Sequence, residues 1–570
     1  MDAATTTVDA RPPGPRPTDT DPPQGGSVLR SGALMAAGSI VSRLTGFVRS
    51  AVVLAALGTG FLGDSYAVAN TVPNILYMLL VGGALNAVFV PELVRAAKEH
   101  RDGGAAYTDR LLTACVVALL ALTALAVLAA PLIIQTYTPS YTGAKQSTTV
   151  ALARYCLPQI LFYGLFTVLG QVLGARGRFG AMMWTPVLNN LVVIGVFALF
   201  LHLAHDAGDG LTADQTRLLG LGTTAGILVQ ALALIPSLRA ARFRWRPRFD
   251  WRGSGLARPL RNAGWLVLLV LTNQIAYWVV TRLSTTVGDA AGANGYAAYS
   301  SAYQLWIVPQ GIITVSLVTA LMPRMSGAAA DGNLTAVRED VSYALRSSAA
   351  VVVPAATVFA ALAPWVMDCV AGYGRNGPAE VAGMAGMLLA FAPGLIAFSA
   401  QYVLARGFYA LSDTRTPFLL NLVIVAANAG LSYAAYLLLP ARWAVTGMAG
   451  ASAVAFTAGA AVTAYALSRR LGPRARTRTT PRAGALATHL RLLAACLPAG
   501  AAGYAAARAT DGLGAFAAAG TGTAVIAAVV LLLAGPLRLT EITALRASLL
   551  RKTGPTGRSR KIGRQRDDTT

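Results

Sequence analysis

Carboxylate is scarce in this chain and nearly missing from its apolar stretches. There are 24 Asp and Glu against 47 Lys and Arg in 570 residues, and almost all the acids lie in the tails or between apolar runs. Only Asp64 and Glu92 stand near the ends of an early run. An ion-coupled exporter of organic cations keeps carboxylates inside its membrane helices, so that class is disfavoured. The four cysteines, Cys115, Cys156, Cys369 and Cys496, are scattered and lack metal-ligand spacing, which makes them small packing residues. His202 and His205 with Asp206 are a minimal ligand set, but two histidines at a helix end are ordinary boundary residues. We assign no metal and no cofactor. No G-x-x-x-x-G-K-[ST] phosphate loop occurs, and no connection is long enough to hold a soluble catalytic domain. The sequence is therefore not read as that of an enzyme.

Apolar residues make up 55% of the chain and charged ones only 12%, with a mean hydropathy of +0.55. These proportions indicate an all-α, polytopic membrane protein. The net charge of +23 does not point to nucleic acid, because the basic residues are confined to short segments between apolar runs and to the C-terminal tail. Fourteen runs are long enough to span a bilayer. Arg239 to Arg261 follow the sixth run and Arg469 to Arg482 follow the twelfth. If the runs alternate, both clusters fall on one side, which is then cytoplasmic together with both termini. The opposite connections fit: 203–216 holds three aspartates and no Lys or Arg, and 288–294 holds only Asp289.

The chain also repeats itself. Thr185-Pro186-Val187-Leu188-Asn189-Asn190-Leu191-Val192 matches Thr416-Pro417-Phe418-Leu419-Leu420-Asn421-Leu422-Val423 at an offset of 231, and Val90-Pro91 matches Met322-Pro323 at 232. An offset of six runs preserves orientation, so the expected fold is two parallel pseudo-symmetric six-helix lobes plus two C-terminal helices. The divisions are a disordered tail at 1–29, an N-terminal lobe at 30–240 and a basic connection at 241–259. A C-terminal lobe at 260–470, a basic connection at 471–486, two helices at 487–536 and a basic tail at 537–570 complete the chain.

Two such lobes enclose a central cavity, and the charges inside the spans suggest its contents. Arg43 and Arg49 fall in the first run and Arg282 in the seventh. An arginine at mid-bilayer costs about 2.5–3.5 kcal/mol on insertion scales, so it marks a wet cavity or a partner. Alternatively, Arg43 and Arg49 snorkel to the cytoplasmic headgroups and Arg282 lies near the outer ones. A cavity lined by guanidinium suits an anion, since the fork donates two parallel hydrogen bonds to a phosphate. Asp64 is placed either as a partner to an arginine or gate, or as the N-cap of the second helix. Pro73 and Pro309, followed by Asn74 and Gln310, remove helix hydrogen bonds and are candidate hinges or gates, or ordinary packing kinks.

Taken together, Ser42-Arg43-Leu44-Thr45-Gly46-Phe47-Val48-Arg49, Asp64, Val72-Pro73-Asn74, Phe89-Val90-Pro91, Arg178-Phe179 before Thr185-Pro186, and Gly407 through Pro417 resemble the MurJ/MviN family of bacterial lipid II flippases, within the multidrug/oligosaccharidyl-lipid/polysaccharide exporter superfamily. The resemblance covers roughly 31–536. It implies a V-shaped pair of lobes in the bacterial plasma membrane, exporting the lipid-linked peptidoglycan precursor. Arg43 and Arg49 would correspond to the family's diphosphate-binding arginines and Asp64 to their acidic partner. Tyr77 and Met78, and Tyr303 and Gln304, stand where the family has basic residues, so Asn74 and Gln304 join the candidate contacts and Arg282 is a candidate replacement charge. Candidate partners are an anionic lipid-linked glycan, membrane lipids and the cell-wall synthesis machinery. Another polyprenyl-diphosphate glycan, a drug, or a non-transporting scaffold role are the alternatives.

Overall fold

The computed structural model describes residues 25–79, 104–176, 178, 180–203, 210–250, 264–292, 294–472 and 484–543. Several features of the sequence lie outside them: the N-terminal stretch ahead of Gly25, Val90-Pro91-Glu92, His205 with Asp206, residues 251–259 and 473–483 of the two basic connections, and the C-terminal tail beyond residue 543. Among the described residues every regular element is helical. The first part of the chain forms α1 (Gly25–Leu57), α2 (Phe61–Leu79), α3 (Ala105–Leu128), α4 (Ala130–Tyr137), α5 (Gly143–Cys156), α6 (Gln159–Ala175), α7 (Gly180–Leu203), α8 (Ala213–Leu232) and α9 (Ile235–Ala240). The second part forms α10 (Gly264–Ala291), α11 (Tyr296–Trp306), a π-helical turn (Gln310–Thr314), α12 (Val315–Ala330), α13 (Leu334–Ala371), α14 (Pro378–Ala410), α15 (Arg415–Leu438) and α16 (Ala441–Arg470). Finally, α17 (Ala485–Ala509) and α18 (Ala515–Leu533) follow.

Local chemistry sets several of these boundaries. Thr212 and Gln215 form a reciprocal capping box at the start of α8, each side chain accepting from the other's backbone N–H, at 3.2 and 2.9 Å. Asn333 accepts from Ala336 N at 3.0 Å to start α13. Pro73, Pro186, Pro323, Pro354, Pro364, Pro393 and Pro498 lie inside helices, as a bundle permits when neighbouring helices support the weakened ladder. Pro73 does not interrupt α2, whereas Pro309 is followed directly by the π turn. The two prolines that look alike in sequence thus act differently on the backbone.

Twelve helices among the described residues are long and apolar enough to cross a membrane. The second and seventh of the fourteen runs are α2 and α10, which are helical, are described only in part and are not among the twelve. Their interiors carry Asp64, Ser65, Asn70, Thr71 and Asn74, and Thr272, Asn273, Gln274, Thr281 and Arg282. They are also walls of the central cavity, which gives these polar groups a place to go.

Among the described residues five apolar clusters hold the bundle, three of them large. One packs Leu57, Ile160, Phe197 and Phe200 within α1–α9. Another packs Trp306, Leu388, Phe391 and Met448 within α10–α16. A third seats α17 and α18 on α13 through Leu362, Trp365, Cys496 and Ile526. Helices approach closely through small residues: a methyl added at Gly394 of α14 would fall 2.7 Å from Ala453 Cα of α16. The four cysteines are free, with Cys156 and Cys496 buried.

The repeat has a structural counterpart. Asn190 of α7 donates its amide to Ser42 O and Thr45 Oγ1 of α1, both at 3.0 Å. Asn421 of α15, its partner in the repeat, donates to Asn273 Oδ1 of α10 at 3.0 Å. Asn273 is related to Ser42 by the same offset. The same amide therefore grips the same point on the first helix of each half. The starts of the gripping helices differ. Pro186 lies well inside α7, while Pro417 sits in the first turn of α15, where its missing N–H costs nothing. Asp413 accepts from Thr416 N at 2.9 Å and Thr416 Oγ1 at 2.6 Å ahead of that turn.

Candidate functional site

Between the halves lies a cavity of about 790 Å³. Its walls come from α1 and α2 on one side and from α10 and α11 on the other, helices equivalent in the repeat, with contributions from α14, α15 and α16. Of the candidate residues, Arg49, Asn74 and Gln304 line it. Arg49 is the one charged residue in that lining among the described residues, and no carboxylate lines it. The cavity is therefore electropositive where it is charged at all, which suits an anion and disfavours an organic cation. Ser50, next to Arg49, donates to Gln304 Oε1 at 3.4 Å, a long contact that joins α1 to α11 beside the cavity.

Arg43 and Arg282 do not line the cavity in this conformation. Arg43 is exposed, and its guanidinium lies against the π turn: a methyl on Gly311 would fall 3.1 Å from its Nη1. Asn190, by holding Ser42 O and Thr45, fixes the stretch of α1 that carries Arg43. Arg282 is exposed with its guanidinium over the Trp278 ring, 5.5 Å from the centroid, an arrangement that satisfies the charge without a carboxylate. At the repeat offset Arg282 matches Ala51 and not Arg49. On a helix that slip in register turns the side chain to another face.

Asp64 sits outside the cavity lining, 2% exposed, and does not cap its own helix. Its Oδ1 accepts from Ala297 N at 2.6 Å, in the first turn of α11. The carboxylate thus caps a helix of the other half, where the exposed N–H groups and the positive end of the helix dipole favour a negative charge. Gly295 makes the approach possible, because a Cβ there would collide with Asp64 Oδ2. Further ties between the halves gather at the same end. Lys145 Nζ meets Asp289 Oδ1 at 2.5 Å, Thr285 Oγ1 donates to Tyr137 O at 3.0 Å, and Arg375 N donates to Ala55 O at 3.0 Å. Asn376 Nδ2 reaches Leu54 O at 3.3 Å and Thr71 Oγ1 lies 3.3 Å from Tyr296 OH, which is itself hydrogen-bonded to Tyr277 within the second half. The cavity is therefore closed at the end that carries the 58–60, 291–295 and 371–378 connections.

Much of the remaining wall is carboxamide and phenol. Asn70, Gln159, Gln274, Gln401, Asn421 and Asn428 line the cavity, with Tyr66, Tyr277, Tyr299 and Tyr303. Attention to charge alone passes over these groups. The signal for them in the sequence is the recurrence of Asn and Gln inside apolar runs, where an amide needs either a partner or water. Tyr303 is stabilised from behind by Trp306 and Phe391, with ring centroids at 5.4 and 5.8 Å. Met78 also lines the cavity, whereas the Tyr77 side chain lies outside the described residues. Among the described residues no cluster of three or more His, Cys, Asp or Glu is placed to hold a metal.

Comparison with known proteins bears on this geometry. A family model described as lipid II flippase MurJ matches residues 53–518, beginning just after Arg43 and Arg49. A probable lipid II flippase MurJ of Rhizobium meliloti (strain 1021) is 26% identical over 414 residues, 71% of this chain and 75% of that protein. One from Haemophilus influenzae is 27% identical over 453 residues, 76% and 84% respectively. A solved structure described as lipid II flippase MurJ in an inward closed conformation superposes with a TM-score of 0.69 at 16% identity, covering 91% of this chain and all (100%) of that one. An inward-facing multidrug resistance MATE family transporter of the MOP superfamily gives 0.62 at 15% identity, covering 75% of this chain and 94% of that one. At such identities the structures speak for the fold. The family match is broader than half the chain, and this protein belongs to the MurJ family of lipid II flippases.

Proposed function

We propose that this protein carries lipid II, the lipid-linked peptidoglycan precursor, from the inner to the outer leaflet of the bacterial plasma membrane by alternating access. The observation that carries this reading is the cavity between the halves, with Arg49 in its wall and no carboxylate among its described lining residues. Arg49 receives the diphosphate, to which its guanidinium can donate two parallel hydrogen bonds. Asn74, Gln304 and the other amides face the sugar and peptide hydroxyls and amides, and Tyr303 offers an aromatic face to a sugar ring. Arg43, beside Gly311 of the π turn, and Arg282 flank this set and meet the anion on its way in or out.

The lobes at 30–240 and 260–470 are the bodies that rock. The distribution of Lys and Arg supports cytoplasmic termini, and with that orientation the ties made by Asp64, Lys145 and Asn376 close the outer face while the cavity is reached from within. Export requires that closure to break, so Asp64 acts as the outer gate, with the π turn after Pro309 as the adjustable joint. Pro73 lies in an unbroken helix and serves as a smaller bend. An inside-negative potential favours outward movement of an anion by about 2.3 kcal/mol per charge per 100 mV, so the potential itself can drive the step.

A second reading rests on Tyr303 and Gln304, which line the wall where the family pattern has a basic residue: the cargo is another polyprenyl-diphosphate glycan. One experiment separates these. Purified protein in vesicles that hold an inside-negative potential is supplied with labelled lipid II in the inner leaflet, and its appearance outside is followed. Wild-type protein should move lipid II and stop when the potential is collapsed. Failure to move lipid II, with movement of a different diphosphate-linked glycan, would replace the first reading by the second.

A further inference from the structure

A second cavity, about 1000 Å³ in volume, lies in the first half, away from the interface between the halves. Its size is at the upper end of the range for ligand sites, about 300–1,000 Å³. Three apolar stripes form it, each at helical spacing: Leu112 and Val116 on α3, Phe162, Leu165 and Leu169 on α6, and Leu228 and Leu232 on α8. At one end the lining changes character abruptly. Arg239, Arg242 and Arg244 stand there with Trp245, all four exposed. None of the three arginines forms an ion pair among the described residues.

That basic end is constructed rather than frayed. After α9 the chain turns back through Arg242 at φ 53°, with Arg242 N donating to Arg239 O at 2.9 Å and Phe243 N to Leu238 O at 3.0 Å. A left-handed residue at this point is ordinarily glycine, so the arginine is kept at a conformational cost. Phe243 folds back into the lining, where Arg176 stacks over its ring at 5.1 Å and donates to Ala241 O at 2.7 Å. The next residues are strapped across α3. Trp245 Nε1 donates to Thr113 Oγ1 at 3.2 Å, Arg246 N to Asp109 Oδ1 at 3.2 Å, and Arg248 N to Thr113 Oγ1 at 3.0 Å. The nearby acids are engaged as well, Asp109 with Arg246 N and Asp250 with Arg110 at 2.5 Å. Positive charge is therefore left over at the mouth of an apolar groove, beside a tryptophan of the kind that marks a bilayer interface.

We infer that this groove is a specific site for one anionic diacyl phospholipid, its acyl chains along α3, α6 and α8 and its phosphate held by Arg239, Arg242 and Arg244. Charge complementarity selects this occupant: a zwitterionic lipid would gain the apolar contacts but not the net attraction of the basic residues. The leaflet, cytoplasmic, rests on the orientation proposed above; the chemistry of the site does not. Because the site packs against the start of the connection between the halves, an occupied groove also fixes where that connection leaves the first half.

The test uses the full chain in phosphatidylcholine bilayers with a trace of spin-labelled phosphatidylglycerol or spin-labelled phosphatidylcholine, reading the immobilised fraction of each. Wild-type protein should hold the anionic label roughly tenfold more strongly than the zwitterionic one. The triple variant Arg239→Gln, Arg242→Gln, Arg244→Gln should bring the two labels level, and Leu169→Trp, which fills the groove, should lower both. The single variants Arg239→Gln and Arg244→Gln change exposed positions and should each remove part of the preference, so the test survives if the triple variant fails to fold. Equal immobilisation of both labels by the wild type would mean bulk annular lipid only and would overturn the site. So would an unchanged preference in the arginine variants, or displacement of the anionic label by polyprenyl phosphate but not by unlabelled phosphatidylglycerol. Lipid II movement is not read, so either result leaves the proposed transport function standing.

Discussion

The two halves share a frame but not a chemistry. In each, an asparagine at the same repeat position grips the same point of the first helix, yet what that helix presents to the cavity differs. The first half brings Arg49. Its counterpart in the repeat is Val280, and Gln274 stands where Arg43 has its equivalent. The second half instead supplies Tyr299 and Tyr303, backed by Trp306 and Phe391. On the proposed function, equivalent walls divide the cargo between them: the charged half takes the diphosphate, the aromatic half takes a sugar ring, and amides of both halves meet the remaining polar groups. A symmetric cavity would hold a symmetric ligand; this one suits a molecule with two unlike ends.

The sharpest way to break that division is at Arg49. Replacing it by glutamine should lower lipid II movement about 10- to 100-fold, since a charge-assisted hydrogen bond contributes about 1.5–3 kcal/mol. Arg49→Lys keeps the charge but not the fork and should lose less, about tenfold. Arg282→Gln should change flux less than twofold, because that guanidinium rests on Trp278 outside the cavity. If Arg282→Gln were as damaging as Arg49→Gln, and Gln304→Arg restored it, the second half would carry anion chemistry too and the comparison would fail.

The next effect lies where the halves meet. Asp64→Asn retains an acceptor but loses the charge opposite the α11 N-terminus, and should shift the closed state toward opening by about 1 kcal/mol, roughly fivefold. Gly295→Ala drives a methyl into Asp64 Oδ2 and should separate the ends further. Spin labels at Thr136 and Ala290, exposed on opposite halves, would read the change as a longer distance population. An unaltered distance distribution in both variants would remove Asp64 from the gate. Smaller still is the contribution of the aromatic wall. Tyr303→Leu should weaken lipid II binding a few-fold, about the 0.5–1.5 kcal/mol of an aromatic contact, while Tyr303→Phe should bind like wild type.

What the sequence made legible follows the same division. Charge inside apolar runs is costly, so Arg49 and Asp64 stand out on cost alone, and the repeat follows from a Thr-Pro motif long enough to exceed chance. The roles are harder to read. Asp64 looks like the cap of its own helix because capping is ordinarily local, yet its partner Ala297 is 233 residues away. Arg282 looks like a cavity charge because hydropathy gives depth but not rotation, and rotation depends on which neighbours pack around the helix. Pro73 and Pro309 are indistinguishable in sequence. Whether the ladder bends or slips into a π turn is decided by tertiary support, not by the proline.

The least of the predicted effects bears on the framework rather than the cavity. The two gripping helices start differently, α15 with Asp413 as an acidic cap and α7 with Met182 at the equivalent position. Partial burial would raise the Asp413 carboxyl, but the hydroxyl and N–H of Thr416 outweigh it and hold the group below the usual carboxylate range. A carboxyl depressed in the folded state contributes stability that is fully present above its unfolded value, about 3.9, and is lost as pH falls through the folded one. Asp413→Asn should therefore lower the thermal midpoint by about a degree or two at neutral pH, with the difference from wild type constant above about pH 5 and shrinking below about pH 4. Thr416→Val, which removes the hydroxyl partner, should reproduce part of the loss with the same pH dependence. A difference that persisted unchanged into acid would mean that Asp413 acts through its shape and not its charge. The second half would then need no stronger cap than the first, and the frame would be more symmetric than its hydrogen bonds suggest.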